Sequence, residues 1–121
     1  MFVYKATVLK VYDADTFIAN IDLGFNMVLE SKRLRMHKVD APKSDGTDDQ
    51  ESSAYKLRNL VIDVLRRSNN VVYLRTHKGG GHDKFTADVW ISLDDCAKGW
   101  DTSLNKMCLD SGWAREFVEK R

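Results

Sequence analysis

Three stretches of this 121-residue chain hold the side chains with chemistry to offer. The first is Asp13-Ala14-Asp15, two carboxylates inside an otherwise apolar and β-branched run. Taken alone, Asp15 is a turn residue and Asp13 a turn or capping carboxylate. The second runs from Lys32 to Lys43 and places Lys32, Arg33, Arg35, Lys38 and Lys43 around Asp40-Ala41-Pro42. Such a run is either a solvated face or the local positive patch that a phosphate backbone requires. The third is His77-Lys78-Gly79-Gly80-Gly81-His82-Asp83-Lys84. Two histidines and an aspartate around a glycine run suggest a transition-metal site or a phosphate cradle. No second ligand pair at helical spacing supports the metal, and the run lacks the Lys-Ser/Thr ending of a phosphate loop. A glycine-rich hairpin between strands is the expectation, with His37 structural as well.

The whole chain narrows the setting. With 43% hydrophobic and 31% charged residues it has the profile of one folded domain, spanning 1–121 and large enough to bury a core without staples. The 19 basic and 18 acidic residues leave a net charge of +1, so any nucleic-acid binding rests on a local patch rather than a global field. Cys96 and Cys108 have no metal-type spacing and read as reduced, partly buried thiols. The first residues lack a basic region followed by a long apolar run, so no leader or membrane span is expected and the expected location is cytoplasmic.

The elements that must position these residues follow from periodicity. Phe2 to Tyr12 reads as a strand, Asp13 to Asp15 as a turn, and Thr16 to Ile21 as a second strand with Phe17, Ala19 and Ile21 on one face. After a turn at Asp22-Leu23-Gly24, Met27 to Met36 reads as a third strand ending near Val39. Asp40 to Asp49 is a loop punctuated by Pro42 and Gly46. Gln50 to Arg67 is the main helix, with Ala54, Leu57, Val61, Val64 and Leu65 on its apolar face and Asp48 or Asp49 as its cap. Val71 to Arg75 and Thr86 to Leu93 are the fourth and fifth strands. Ser103 to Ser111 is a short helix stopped by Gly112, and Trp113 to Arg121 adds a helical turn or two. Three strands, a helix, two strands and a helix give an α+β, mainly β fold: a five-stranded OB-fold barrel with one main helix and one or two short C-terminal helices. Trp90, Trp100 and Trp113 read as core or interface residues.

Five segments in order resemble the staphylococcal-nuclease (thermonuclease) family. They are Val11-Tyr12-Asp13-Ala14-Asp15-Thr16-Phe17; Leu34-Arg35-Met36-His37-Lys38-Val39-Asp40-Ala41-Pro42; the helix with Glu51 and Ala54; Asp83-Lys84-Phe85 followed by Ala87-Asp88-Val89-Trp90; and Leu109-Asp110-Ser111-Gly112-Trp113-Ala114. The resemblance spans nearly the whole chain and implies a calcium-dependent phosphodiesterase site. Asp15, Asp40 and the Ala41 carbonyl fall where the family holds Ca2+, a hard cation that takes oxygen ligands. Arg35 matches a phosphate-gripping arginine, a role its planar fork suits, and an ion pair with Asp40 in the empty site is compatible with that role. Lys84, Phe85, Lys78 and Lys38 are the implied nucleic-acid contacts, Phe85 as the stacking ring.

Two departures alter the expectation. Lys43 stands where the family has its water-activating glutamate, and an ammonium accepts no proton and repels calcium. No arginine follows Asp83-Lys84-Phe85: either Ala87 replaces it or a short deletion removed it. One lost charge-stabilising donor costs about 3 kcal/mol, a hundredfold or more in rate. Glu51, Asp45, Asp48 or Asp49 could swing into the base position, and Lys84 or Lys78 could stand in as a point charge. Otherwise the acidic cluster is a solvated loop with favourable charge at a helix start. The expectation is a nuclease-like domain that binds DNA or RNA at a degenerate site with weak or no hydrolysis. The alternatives are an active Ca2+-dependent nuclease with a rearranged site, and a protein-interaction or inhibitor module on the same scaffold.

Overall fold

Alternating apolar residues in the first forty positions build three antiparallel strands: β1 (Tyr4–Asp13), β2 (Thr16–Gly24) and β3 (Met27–Met36). The chain continues through β4 (Val39–Asp40), α1 (Ser53–Arg67), β5 (Val71–Lys78), β6 (Phe85–Trp90), α2 (Leu93–Lys98), a 3₁₀ turn (Trp100–Thr102), α3 (Leu104–Asp110) and β7 (Arg115–Glu116). The computed structural model describes residues 2–43, 52–78 and 85–117.

The sheet closes into a five-stranded barrel of order β1-β2-β3-β6-β5, the OB-like, mainly β architecture expected from the element order. Every pairing is antiparallel except the short parallel contact Arg35↔Thr86 and Met36↔Ala87 that joins β3 to β6. Bulges between Val8 and Lys10 and between Val11 and Asp13 let β1 coil from β5 to β2, which closure requires. Inward residues Val8, Val11, Phe17, Ala19, Ile21, Leu34, Met36, Val72, Leu74, Ala87 and Val89 fill the interior. The α1 face Leu57, Val61, Val64 and Leu65 joins the same core, and Arg58 Nε donates to the Val11 carbonyl at 3.2 Å. From α3, the fully buried Asn105 accepts from Val89 N and donates to the His37 and Ala87 carbonyls, each at 2.9 Å. One amide thus satisfies three backbone groups where β3 leaves the barrel.

Several boundaries differ from the sequence reading. The helix cap is Ser52, whose hydroxyl accepts from Tyr55 N at 3.1 Å, rather than Asp48 or Asp49, which lie outside the described residues. β5 runs on to Lys78, because barrel pairing with β6 extends it past the point where polar residues begin. β6 stops at Trp90, and Ser92 caps the unforeseen α2 by accepting from Asp95 N. The hairpin turns at Phe25-Asn26, both at positive φ, and not at Asp22-Leu23-Gly24. Gly112 does take the left-handed position after α3, at φ 82°. The tail beyond it is not helical where described. Arg115–Glu116 pairs with Val39–Asp40, since β4 offers an open edge and the tail carries no apolar helical face. Trp90 is buried and Trp100 half-buried, but Trp113 is exposed. Among the described residues no helix is long and apolar enough to cross a membrane.

Candidate functional site

The β1–β2 turn and the far end of β3 are held together by the backbone. Met36 N donates to the Asp15 carbonyl at 2.7 Å, and His37 N to the Ala87 carbonyl at 2.9 Å. Lys38 then adopts a left-handed conformation, φ 63°, which reverses the chain. β4 is thereby brought back past the turn, and Phe117 N donates to the Lys38 carbonyl at 2.9 Å. These local constraints bring Asp15, Arg35, Asp40, Ala41 and Lys43 to one place from three separate segments.

Asp15 is the centre and is fully buried. It accepts from the Thr16 hydroxyl at 3.1 Å and from Ala41 N at 3.2 Å. Lys43 Nζ lies 3.3 Å from one of its oxygens and 3.2 Å from the other. Arg35 Nε stands 3.4 Å from Asp15, and Arg35 Nη2 donates to Asp40 at 3.4 Å. The two carboxylates therefore face two cations. The cationic side chains keep their exposure, 39% for Arg35 and 56% for Lys43, while Asp15 has none. Behind the site the buried Cys108 thiol is pushed up to about 12, chiefly by burial and then by the Asp15 charge. It is an inert packing residue.

This geometry bears directly on calcium. An ion coordinated by Asp15 would meet the Lys43 ammonium already spanning both of its oxygens. Among the described residues no group of three or more His, Cys, Asp or Glu is arranged to hold a metal. A calcium ion at Asp15 and Asp40, as the resemblance implies, would have to displace this ammonium.

The other expected contacts divide. Lys38 is exposed at its turn, and Phe85 is exposed at the start of β6. Lys78 ends β5, but its side chain, with Lys84, Asp45, Asp48, Asp49, Glu51, His82 and Asp83, lies outside the described residues. Ala87 points into the core and Thr86 occupies the outward position beside Arg35, so a cation at position 87 would have been buried.

Three residues near the site were missed. Arg115 is the register partner of Asp40, which puts the two side chains on one face of the β4–β7 ladder. Phe117 lies under Arg35, whose Cζ is 5.1 Å from the ring centroid. Tyr12 carries two cations, Lys10 Nζ at 4.8 Å and Arg33 Cζ at 5.6 Å. The readable signal was the aromatic–basic alternation Lys10-Val11-Tyr12 and Trp113-Ala114-Arg115-Glu116-Phe117.

A second buried carboxylate, Asp88, was also missed. Arg75 Nη2 and Nε donate to its Oδ2 at 2.5 and 2.8 Å, and His77 Nε2 lies 3.1 Å from the same oxygen. His77 stacks on His37 with centroids 3.8 Å apart, and His37 Nδ1 is 2.8 Å from the Thr86 hydroxyl. Burial, then the neighbouring His77, hold the His37 pKa below its usual 6.5. Strand alternation marked Asp88 as solvent-facing. Arg75 and His77 close over it from β5, and Arg75 also lies over the Trp90 ring, Cζ 5.6 Å from the centroid.

Compared with known proteins, the chain matches no protein-family model and no curated protein.

Proposed function

We propose that this barrel binds nucleic acid through the phosphodiester backbone at Arg35 and Lys43, on a site similar to that of the staphylococcal-nuclease family, without efficient hydrolysis. The observation that carries the reading is the Lys43 ammonium held on both oxygens of the fully buried Asp15. An ammonium donates hydrogen bonds and accepts none, so it neither orients water through a lone pair nor takes its proton. What remains is recognition. Two partly exposed cationic heads, anchored by one buried carboxylate, can trade part of their contact with Asp15 and Asp40 for phosphate oxygens. Arg115 and Lys38 add charge at the rim. With a net charge of +1, such binding is local and salt-sensitive.

The test is incubation with single- and double-stranded DNA and RNA, with calcium and then with chelator. The expected result is binding that weakens with salt, ignores chelator and produces no cleavage. Chelator-sensitive cleavage abolished by Asp40→Ala would replace this reading with a calcium-dependent nuclease whose base comes from outside the described residues. Absence of both cleavage and binding would favour a second reading, a protein-interaction module. One observation supports it: Phe25 is 97% exposed at φ 53° on the β2–β3 tip, beside exposed Met27 and Val28. The two-residue turn accounts for the left-handed backbone, and the exposed apolar side chains around it are what a protein partner would bury.

A further inference from the structure

Two aromatic rings each lie beneath a guanidinium, and the two guanidiniums belong to one strand. On β3, Arg33 and Arg35 occupy alternate positions of the outward face, about 6.7 Å apart along the strand. That step is close to the separation of neighbouring phosphates in an extended single strand. Arg33 stands over Tyr12, and Arg35 over Phe117. Tyr12 faces outward next to the buried Val11, and the bulge between Val11 and Asp13 leaves it without a partner on β2. Lys10, level with Arg33 through Ile18, places its ammonium on the same ring. The stripe thus crosses β1, β2 and β3, the face that OB-type barrels offer to oligomeric ligands.

We infer that Lys10, Tyr12, Arg33, Arg35, Phe117 and Arg115 form a track for single-stranded nucleic acid, an inference that rests on the reading above and narrows it to unpaired strands. Tyr12 is 39% and Phe117 46% exposed, enough ring area to take a base. Bases stack on aromatic rings and on guanidinium planes alike, so a base entering beside Arg33 or Arg35 keeps one surface or the other. A duplex hides its base faces and would meet only the cations. Asp15 and Asp40, beside Arg35, are already engaged by Arg35 and Lys43, so they oppose the strand's charge less than free carboxylates would.

Fluorescence anisotropy with labelled oligothymidine of about 12 nucleotides, and with a duplex of the same length, tests this. The wild-type chain is expected to bind the single strand about tenfold more tightly than the duplex. Tyr12→Ala should weaken single-strand binding about tenfold and leave duplex binding within about twofold, with Tyr12→Phe restoring it. Arg33→Gln should lower the salt slope by about 1 on both ligands. Thermal melts of each variant confirm the fold, and Phe117→Ala provides a second ring outside the barrel strands. Equal affinity for both ligands, or single-strand binding indifferent to both ring truncations, overturns the track while leaving the backbone-binding reading in place. Failure of the wild-type chain to bind either ligand at low salt overturns both.

Discussion

Asp15 and Asp88 are built from the same parts and do different things. Each is buried, and each faces an arginine and a second basic group. Around Asp15 the contacts are spread over both oxygens at 3.1–3.4 Å, and the cations reach in from solvent. Around Asp88 they converge on one oxygen at 2.5–3.1 Å, and among the described residues the other oxygen has no hydrogen-bond partner. A carboxylate whose partners are exposed and loosely shared leaves them able to recruit another anion. One whose partners converge on a single oxygen is a staple. The difference lies in how the contacts are distributed, since the charges are alike.

The largest expected effect tests the staple. Asp88→Ala leaves the Arg75 charge without its buried counter-ion, which should cost about 3 kcal/mol. Arg75 is 30% exposed, which keeps the figure at the low end of that class. Thermal or urea unfolding should show a loss of this size, with the midpoint lowered by about 10 °C. Asp15→Ala should cost less, roughly 1–2 kcal/mol, because Arg35 and Lys43 can rehydrate. An equal or larger loss at Asp15 would erase the contrast.

The next effect runs against intuition. Asp15→Asn keeps the shape of the side chain but releases Lys43 and Arg35 from a negative charge that competes with phosphate. Oligonucleotide affinity should rise, about threefold to tenfold, with a steeper salt dependence. A site that needed Asp15 to hold a metal would instead lose its function in this variant. The same anisotropy titration decides between them.

The smallest effect is a pH dependence at the stapled cluster. His37 resists protonation in the folded state relative to its usual 6.5, mainly through burial and then the facing His77, with Lys38 and Arg75 acting in the same direction and Asp88 against. Below about 6.5 the unfolded chain therefore takes up the proton before the folded one. The stability His37 contributes is present above that pH and declines as the pH falls through its lowered folded value. Partial exposure makes the slope shallow. Midpoints between pH 5 and 8 should show it, and His37→Gln should flatten it. A wild-type midpoint that rises on acidification would mean that the Asp88 attraction governs the cluster.

Much of the fold was legible because it follows short-range rules. The alternation of Phe17, Ala19 and Ile21, the apolar spacing of Leu57, Val61 and Val64, and the left-handed Gly112 each depend on neighbours in the chain. The misread boundaries were those where a distant partner decides. Arg115–Glu116 became a strand because β4 needed pairing, and Leu93–Lys98 became a helix once Trp90 ended β6. At the candidate site, the five residues singled out from their motifs do converge. Arg115, Phe117 and Tyr12 did not stand out, since nothing in their local sequence says that the tail returns to β4 or that a bulge turns Tyr12 outward.

The sequence by itself determined the inventory: which carboxylates and cations exist, that Lys43 stands in place of an acid, and that a mainly β barrel must present them. Only the tertiary structure decided which charges meet. Periodicity assigns a side chain to a face, but the groups that meet it there come from a neighbouring strand or a returning segment. Pairing of β5 with β6 brought Arg75 and His77 to Asp88 and made it a buried staple, while the approach of Lys43 to Asp15 put an ammonium on a candidate cation site.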